Sequence, residues 1–133
     1  MEREKREAGP SRRALELAAL ATQLSAQKPP LKCVEVPGDG HCLYRSVADQ
    51  LRRSRPDLHR WTKAPDVHHE EVRALCATRL REKADDYAPF AELNNGEDFS
   101  GYCDRVENSA DWGGELELRA LADTLGTQIL VFR

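Results

Sequence analysis

The chain has 133 residues, of which 40% are hydrophobic and 32% charged, and its formal net charge is −3. This size and balance predict one globular domain with a highly charged surface, and no apolar run approaches the roughly 18 residues that a membrane span needs. Residues 82–133 hold twelve acidic and four basic residues. That excess argues against a broad nucleic-acid surface and suits either a solvated face or a partner with a basic patch.

The cysteine content and the amino-terminal stretch bear on the compartment. The stretch MEREKREAGP is charged and no apolar segment follows it, so we expect no secretory signal. The cysteines form no CxxC pair, which predicts reduced thiols in a cytoplasmic, intracellular protein. Together with the histidines they lack the paired spacing of structural zinc ligands, so we expect no metal and no cofactor.

The apolar periodicity predicts a mixture of helices and short strands in chain order. Helical spacing of leucine and valine predicts helices at 12–27, 43–53, 66–83, around 99–106 and at 115–125. Ser11 is a possible cap for the first helix, and Gly126 is expected to end the last one. Short strands are predicted at 31–36, before the second helix, and at 127–133, where TQILVFR reads as a buried strand. The order indicates an α/β (α+β-like) fold.

Several connecting segments separate these elements. Residues 54–65 contain two prolines and predict a loop, and DDYAPFAELNNG predicts a second connection. The turn SADWGG precedes the last helix, and we expect Trp112 to be packed in the core there. A sheet of only two short strands is marginally stable and offers little surface for this many helices to pack on. We therefore expect further strands beyond Arg133, and with them a carboxy-terminally truncated domain.

Cys42 lies where the first predicted strand passes into a helix, in the stretch VEVPGDGHCLYRSVADQL. An ordinary cysteine, with a pKa of about 8.5, is only a few per cent thiolate at neutral pH, and a helix N-terminus raises that fraction. With Asp39 as the cap, its carboxylate would accept an N–H from His41 or Cys42. The alternative is a buried structural cysteine after a common Pro-Gly turn. The other three thiols, Cys33, Cys76 and Cys103, are expected in the core.

The stretch PGDGHCLYRSVADQL at 37–51 resembles the nucleophile motif of the ovarian tumour (OTU) family of cysteine deubiquitinases. The segments YAPF at 87–90 and YCDRVENSADWGGELELRALADTL at 102–125 resemble the middle of the same domain. The three segments occur in the family's order, and the resemblance covers roughly residues 12–133. It implies a papain-like fold with a small central sheet flanked by helices, an amino-terminal helical extension at 1–28, and an incomplete OTU domain at 29–133.

The resemblance also implies a mechanism and a partner. Cys42 would attack the carbonyl at the C-terminal glycine of ubiquitin or a polyubiquitin chain, and water would release the acyl-enzyme. Asp39 matches the aspartate beside the oxyanion loop, and the backbone N–H groups of Gly40, His41 and Cys42 would line the oxyanion hole. His41 is not the family's base, and no general base is identified. The other histidines (His59, His68, His69) stand outside the family's His-x-(Asn/Asp) context, and we expect surface or structural roles for them.

Three functions remain open at this point. The first is a ubiquitin thioesterase, represented by a fragment or a short form. The second is a catalytically silent form that binds ubiquitin through its acidic half. The third makes the helix at 12–27 a docking element for another protein or for a second copy. None of these readings involves a nucleic acid or a membrane.

Overall fold

The computed structural model describes residue 9, residues 11–54 and residues 68–132. The predictions for His59, Trp61 and the loop that holds them lie outside the described residues. The contacts divide the chain into two units. The described part of the first comprises residues 11–35 and 130–132 with residue 9, and the second unit runs from Val36 to Ile129.

The described part of the first unit contains one helix, α1 (Arg12–Ser25). The Ser11 side chain caps it by accepting the backbone N–H of Ala14 at 3.1 Å, as the sequence predicted. Leu24 is the buried residue of this helix, and its carbonyl oxygen accepts the N–H of Leu31 at 2.9 Å. Leu15 on the same helix is exposed.

Neither predicted strand is present as a strand in the described part of the chain. Residues 31–36 and 127–132 lie outside regular structure, and Leu130 and Val131 are 73% and 53% exposed. The prediction that TQILVFR is a buried strand was therefore wrong for residues 127–132. Apolar and β-branched residues favour a strand only when a neighbouring strand supplies hydrogen bonds, and the described segments have no such ladder. All the regular secondary structure among the described residues is helical, and the expected central sheet is not present in them.

The described part of the second unit consists of helices and the segments between them. Its elements are α2 (Cys42–Ser54), α3 (His69–Glu82), α4 (Ala84–Tyr87), a 3-10 turn (Ala88–Phe90), α5 (Phe99–Asn108) and α6 (Glu115–Leu125). The segment DDYAPF, predicted to be a connection, thus forms α4 and the 3-10 turn. Gly126 ends α6 at φ 64°, and both its N–H and that of Thr127 donate to the carbonyl of Ala122, as expected of a glycine cap.

Helix α3 is the centre of this unit, because α2, α5 and α6 all pack against it. Its core positions Val72, Cys76, Ala77 and Leu80 are fully buried. Burying one large apolar side chain of this kind stabilises a fold by about 1.5–3 kcal/mol, so the apolar face of α3 supplies much of the packing. None of the helices in the described ranges has the length and apolar content needed to span a bilayer.

Candidate active site

Cys42 is the first residue of α2 and is partly exposed. The turn before it is built by Asp39, which accepts the N–H of His41 on its side-chain Oδ1 at 3.0 Å. The main-chain oxygen of Asp39 accepts the N–H of Cys42 at 3.1 Å. The predicted bond from the His41 N–H to Asp39 is present, but regular helix begins at Cys42 and not at Gly40, so Asp39 closes the turn before the helix and is not its cap. The thiol thus lies in the first turn of a helix of 13 residues, at the positive end of its dipole.

Asp39 is held as a carboxylate by Arg45, one turn further along α2. The Arg45 Nε donates to Oδ1 at 3.3 Å and Nη2 donates to Oδ2 at 3.0 Å, so the pair is bidentate. The Arg45 hydrogen bond, supported by the His41 N–H, holds the pKa of Asp39 below its ordinary value. Asp39 therefore accepts hydrogen bonds as an anion at neutral pH and keeps the loop before Cys42 in one shape.

The three backbone N–H groups expected in an oxyanion hole are not equivalent. Those of His41 and Cys42 already donate to Asp39. The N–H of Gly40 has no partner within the part of the chain that the structure describes. Of the three predicted donors, Gly40 is therefore the one available to a substrate oxygen in this arrangement.

Arg73, on α3, is the residue of this site that the sequence reasoning missed. Its side chain is buried, with 2% of the residue exposed. The guanidinium donates to His41 Nδ1 at 3.0 Å and to the carbonyl of Gly40 at 3.0 Å. It also donates to the carbonyls of Val106 at 2.8 Å and Asp111 at 2.7 Å. One side chain thus joins the loop before Cys42 to the end of α5 and to the loop before α6.

His69 lies against His41, with the two ring centroids 4.3 Å apart. Its side chain is only 16% exposed, so His69 fits the structural one of the two roles expected for it, whereas His68 is exposed. Burial lowers the pKa of His69, and the nearby charges of Arg45 and Arg73 act in the same direction, while Glu70 opposes them. His69 is therefore a neutral imidazole at neutral pH.

The loop between α5 and α6 packs directly on the turn that carries Cys42. A Cβ atom added to Gly40 would lie 1.6 Å from the carbonyl oxygen of Ala110, so two backbones touch there. A Cβ added to Gly113 would lie 3.0 Å from a methyl carbon of Leu43 and 3.1 Å from the Tyr44 ring. Trp112, between these contacts, is 66% exposed. The prediction that its indole is buried was wrong, because the adjacent glycine backbone makes the packing contact.

Glu117 anchors the other end of this loop. It is 5% exposed, accepts the hydroxyl of Tyr102 at 2.5 Å, and accepts the N–H of Gly114 at 2.8 Å. The second bond is the N-terminal cap of α6. The buried carboxylate thereby ties α5, the loop and α6 together, and it fixes the surface on which the Cys42 turn rests.

The remaining cysteines have different surroundings from Cys42. Cys76 and Cys103 are buried, as predicted, and burial raises the pKa of both thiols. Cys33 is exposed, so its predicted place in the core was wrong: the segment that holds it makes no strand and buries no face. Cys42 is the cysteine that combines partial exposure with a helix N-terminus.

The described residues supply a nucleophile and its supporting loop. No hydrogen bond joins the Cys42 thiol to an imidazole among the residues that the structure covers. Those residues also contain no cluster of three or more metal-ligating side chains. The chemistry that this arrangement favours is attack by a thiol at an electrophilic carbon beside a backbone N–H donor.

Comparison with known proteins relates this arrangement to one family. A family model described as OTU-like cysteine protease matches residues 37–133. The chain is 38% identical over 126 residues to Deubiquitinase OTUD6B of Gallus gallus. The aligned region covers 90% of this chain and 38% of that protein. It is 38% identical over 144 residues to OTU domain-containing protein 6A of Mus musculus, covering 98% and 45% of the two chains.

A more distant relative is OTU domain-containing protein 2 of Saccharomyces cerevisiae, 33% identical over 104 residues, with 76% of this chain and 33% of that protein covered. The chain thus spans less than half the length of each of these curated relatives.

Proposed function

Because this chain belongs to the family of OTU-like cysteine proteases, we propose that it acts as a cysteine-type deubiquitinase with Cys42 as its nucleophile. The observation that carries the proposal is the position of Cys42 at the first residue of α2, in a turn built by the ionised Asp39. A helix N-terminus favours the thiolate, which is the reactive form. Ubiquitin or a polyubiquitin chain is the proposed substrate.

In the proposed reaction the Cys42 thiolate attacks the carbonyl carbon of the C-terminal glycine of ubiquitin. The Gly40 N–H donates to the oxygen that gains negative charge. The amine of the modified protein leaves with a proton, and a thioester joins Cys42 to ubiquitin. Water then adds to the thioester carbonyl and releases ubiquitin with a free carboxylate and Cys42 as the thiol.

Asp39 and Arg45 take supporting roles in this proposal. The bidentate pair ties the turn to α2, and Asp39 fixes the direction of the His41 N–H. We assign the general base to none of the described histidines, since no imidazole among them is hydrogen-bonded to the Cys42 thiol. A form that binds ubiquitin without cleaving it is the second candidate, and this same observation favours it.

The proposal extends to the organisation of the chain. We assign residues 1–28 to a helical extension and residues 29–133 to the OTU domain. We expect that domain to contain the small central sheet of the fold in addition to its helices. The free cysteines support a reducing, cytoplasmic location. The helix α1 is the proposed contact for a protein partner, in keeping with its exposed Leu15.

The test uses ubiquitin that carries a propargylamide electrophile at its C-terminus. We expect the wild-type chain and Cys33→Ala, which removes an exposed thiol, to form an adduct, and Cys42→Ala to form none. An adduct with Cys42→Ala would contradict the proposal, as would the absence of any adduct from a folded wild-type chain. Hydrolysis of a fluorogenic ubiquitin amide then separates the two candidates, because an enzyme turns over and a binding form does not.

A further inference from the structure

We propose that Arg73 is a positioning residue for the nucleophile: it fixes the Nε2–H tautomer of His41 and holds the loop of residues 39–42 in place. The inference rests on the proposed role of Cys42. It assigns a function to a buried arginine in the middle of α3, at a position where the sequence pattern alone indicates an ordinary helix residue.

The tautomer follows from the chemistry of the donor. A guanidinium has N–H groups and no acceptor, so the ring nitrogen that it meets at 3.0 Å must offer a lone pair. That nitrogen is Nδ1 of His41. The neutral ring then carries its hydrogen on Nε2, and neither nitrogen has a lone pair free for the Cys42 proton. Arg73 therefore excludes His41 as the general base and leaves it with an Nε2–H that can donate.

The Arg73 guanidinium lies in a site that supplies hydrogen-bond acceptors on its edges and an aromatic ring on one face. Its partners are the His41 ring nitrogen and three main-chain carbonyls, at Gly40, Val106 and Asp111. The Tyr44 ring covers one face of the planar guanidinium, with 4.1 Å between the guanidinium carbon and the ring centroid. A buried charge is expensive unless it is hydrogen-bonded, and here Nε and both terminal nitrogens donate in four bonds.

The two carbonyls at Gly40 and Asp111 explain why an arginine is needed. They belong to the turn before Cys42 and to the loop that rests on it, and a single terminal nitrogen, Nη2, bonds both. The planar fork keeps this nitrogen and Nε at a fixed distance. Movement of either loop would therefore also disturb the bond to His41, and the backbone beside the thiol is held from outside the turn.

The experiment measures the His41 tautomer by imidazole ¹⁵N NMR, without using ubiquitin. The His41 signals are assigned by their absence from His41→Gln. In the wild-type chain we expect Nδ1 to show the shift of an unprotonated nitrogen and Nε2 that of an N–H nitrogen. Arg73→Met, which keeps the apolar volume, should give mixed tautomers. Arg79→Met, on the same helix and bonded instead to Tyr87, should leave the His41 signals unchanged.

A second measurement links the tautomer to the nucleophile, in a Cys33→Ala background. Arg73→Met should slow adduct formation with ubiquitin propargylamide by roughly ten- to a hundredfold, since small displacements of a reacting group have effects of this size. Alkylation of Cys42 by iodoacetamide needs no positioned substrate and should change far less. Equal effects on both reagents would indicate general damage and contradict a positioning role.

The outcomes separate this inference from the proposed function. An Nδ1–H tautomer in the wild-type chain overturns the inference, whatever the chain does with ubiquitin, and so does an unchanged tautomer in folded Arg73→Met. If Arg73→Met does not fold, the wild-type spectrum and that of Arg73→Lys test the inference instead. Lysine keeps the charge but lacks the planar fork, so Arg73→Lys should also give mixed His41 tautomers. Absence of any ubiquitin adduct combined with the expected tautomer would overturn the proposed function and leave the role of Arg73 in the structure intact.

Discussion

Gly40 and Ala110 meet backbone to backbone, so closely that a Cβ at residue 40 would lie 1.6 Å from the Ala110 carbonyl oxygen. No side chain fits at that distance, and the neighbour is main chain, which cannot rotate away. The contact places the loop before α6 directly on the turn that carries Cys42. The glycine is therefore required by its neighbour in space, since Gly40 is not among the glycines with a positive φ.

Gly40→Ala should destabilise the chain and remove the reaction at Cys42. We expect the free energy of unfolding to fall by about 1–3 kcal/mol, as for other overpacked sites, because one of the two backbones must shift. Urea unfolding measures the first effect, and the ubiquitin electrophile the second. Gly38→Ala is the matched control, since nothing lies within 4 Å of a Cβ there. Equal effects of the two substitutions would contradict the assigned contact.

Tyr102→Phe should lower stability through Glu117. The substitution removes the hydroxyl that donates to the buried carboxylate at 2.5 Å, and a hydrogen bond to a charged group contributes about 1.5–3 kcal/mol. In Glu117→Gln the amide oxygen can still accept the Gly114 N–H while the amide NH2 donates to the Tyr102 oxygen, so this variant should cost less. Urea unfolding of both variants gives the comparison. A change of less than about 0.5 kcal/mol for Tyr102→Phe, typical of surface positions, would show that the bond is unimportant.

The chain should unfold in alkali together with ionisation of its tyrosines. Burial is the main cause that raises the pKa of Tyr44, Tyr87 and Tyr102 above the ordinary 10.0, and these are all the tyrosines in the chain. Above pH 10 the unfolded chain loses protons that the folded chain keeps, so the stabilising contribution is complete below that pH and declines as pH rises. Tyrosinate absorbance should rise in step with loss of helical circular dichroism. Absorbance that rises while the helices persist would contradict this.

Acid should destabilise the chain through His69. Its pKa is lowered from 6.5, so below that pH the unfolded chain binds a proton that the folded chain does not bind. The contribution is therefore complete above pH 6.5 and is lost as pH falls through the folded value. His69→Phe keeps a ring against His41 and should reduce the pH dependence of urea unfolding between about pH 7 and pH 5. His68→Phe, at an exposed position, should not reduce it.

Trp112→Ala should leave stability within about 0.5 kcal/mol, because the indole is 66% exposed and surface substitutions have effects of this size. The expectation differs sharply from that for a buried tryptophan, where removal costs about 3–5 kcal/mol. Urea unfolding distinguishes the two. A loss in the larger range would restore the interpretation of Trp112 as a core residue.

Features set by neighbours in sequence could be predicted. Residues within about one helical turn determine the capping bond of Ser11, the turn bond that His41 donates to Asp39, the buried face of α3 and the glycine end of α6. Family membership could be recognised too, because the motif around Cys42 is itself a short local pattern.

Features set by distant partners could not be predicted. Arg73 occupies a helix position that, from its residue type, would be exposed, and its burial depends on carbonyls of Gly40, Val106 and Asp111 that only the fold brings to it. The position of His69 beside His41 is of the same kind. The predicted strands failed for this reason as well, since a strand requires a partner that its own sequence does not supply.

The bonds of Arg73 have a consequence for the order of folding. Its four partners lie between 32 and 38 residues away along the chain, so none of these bonds forms until long loops have closed. The bonds between Asp39 and Arg45 join residues only six positions apart and can form early, whereas those of Arg73 wait for α3, α5 and the loop before α6. In an incompletely folded chain the turn before Cys42 therefore lacks its bonds to Arg73. The surroundings of Cys42 are therefore completed by the tertiary structure as a whole and not by α2 alone.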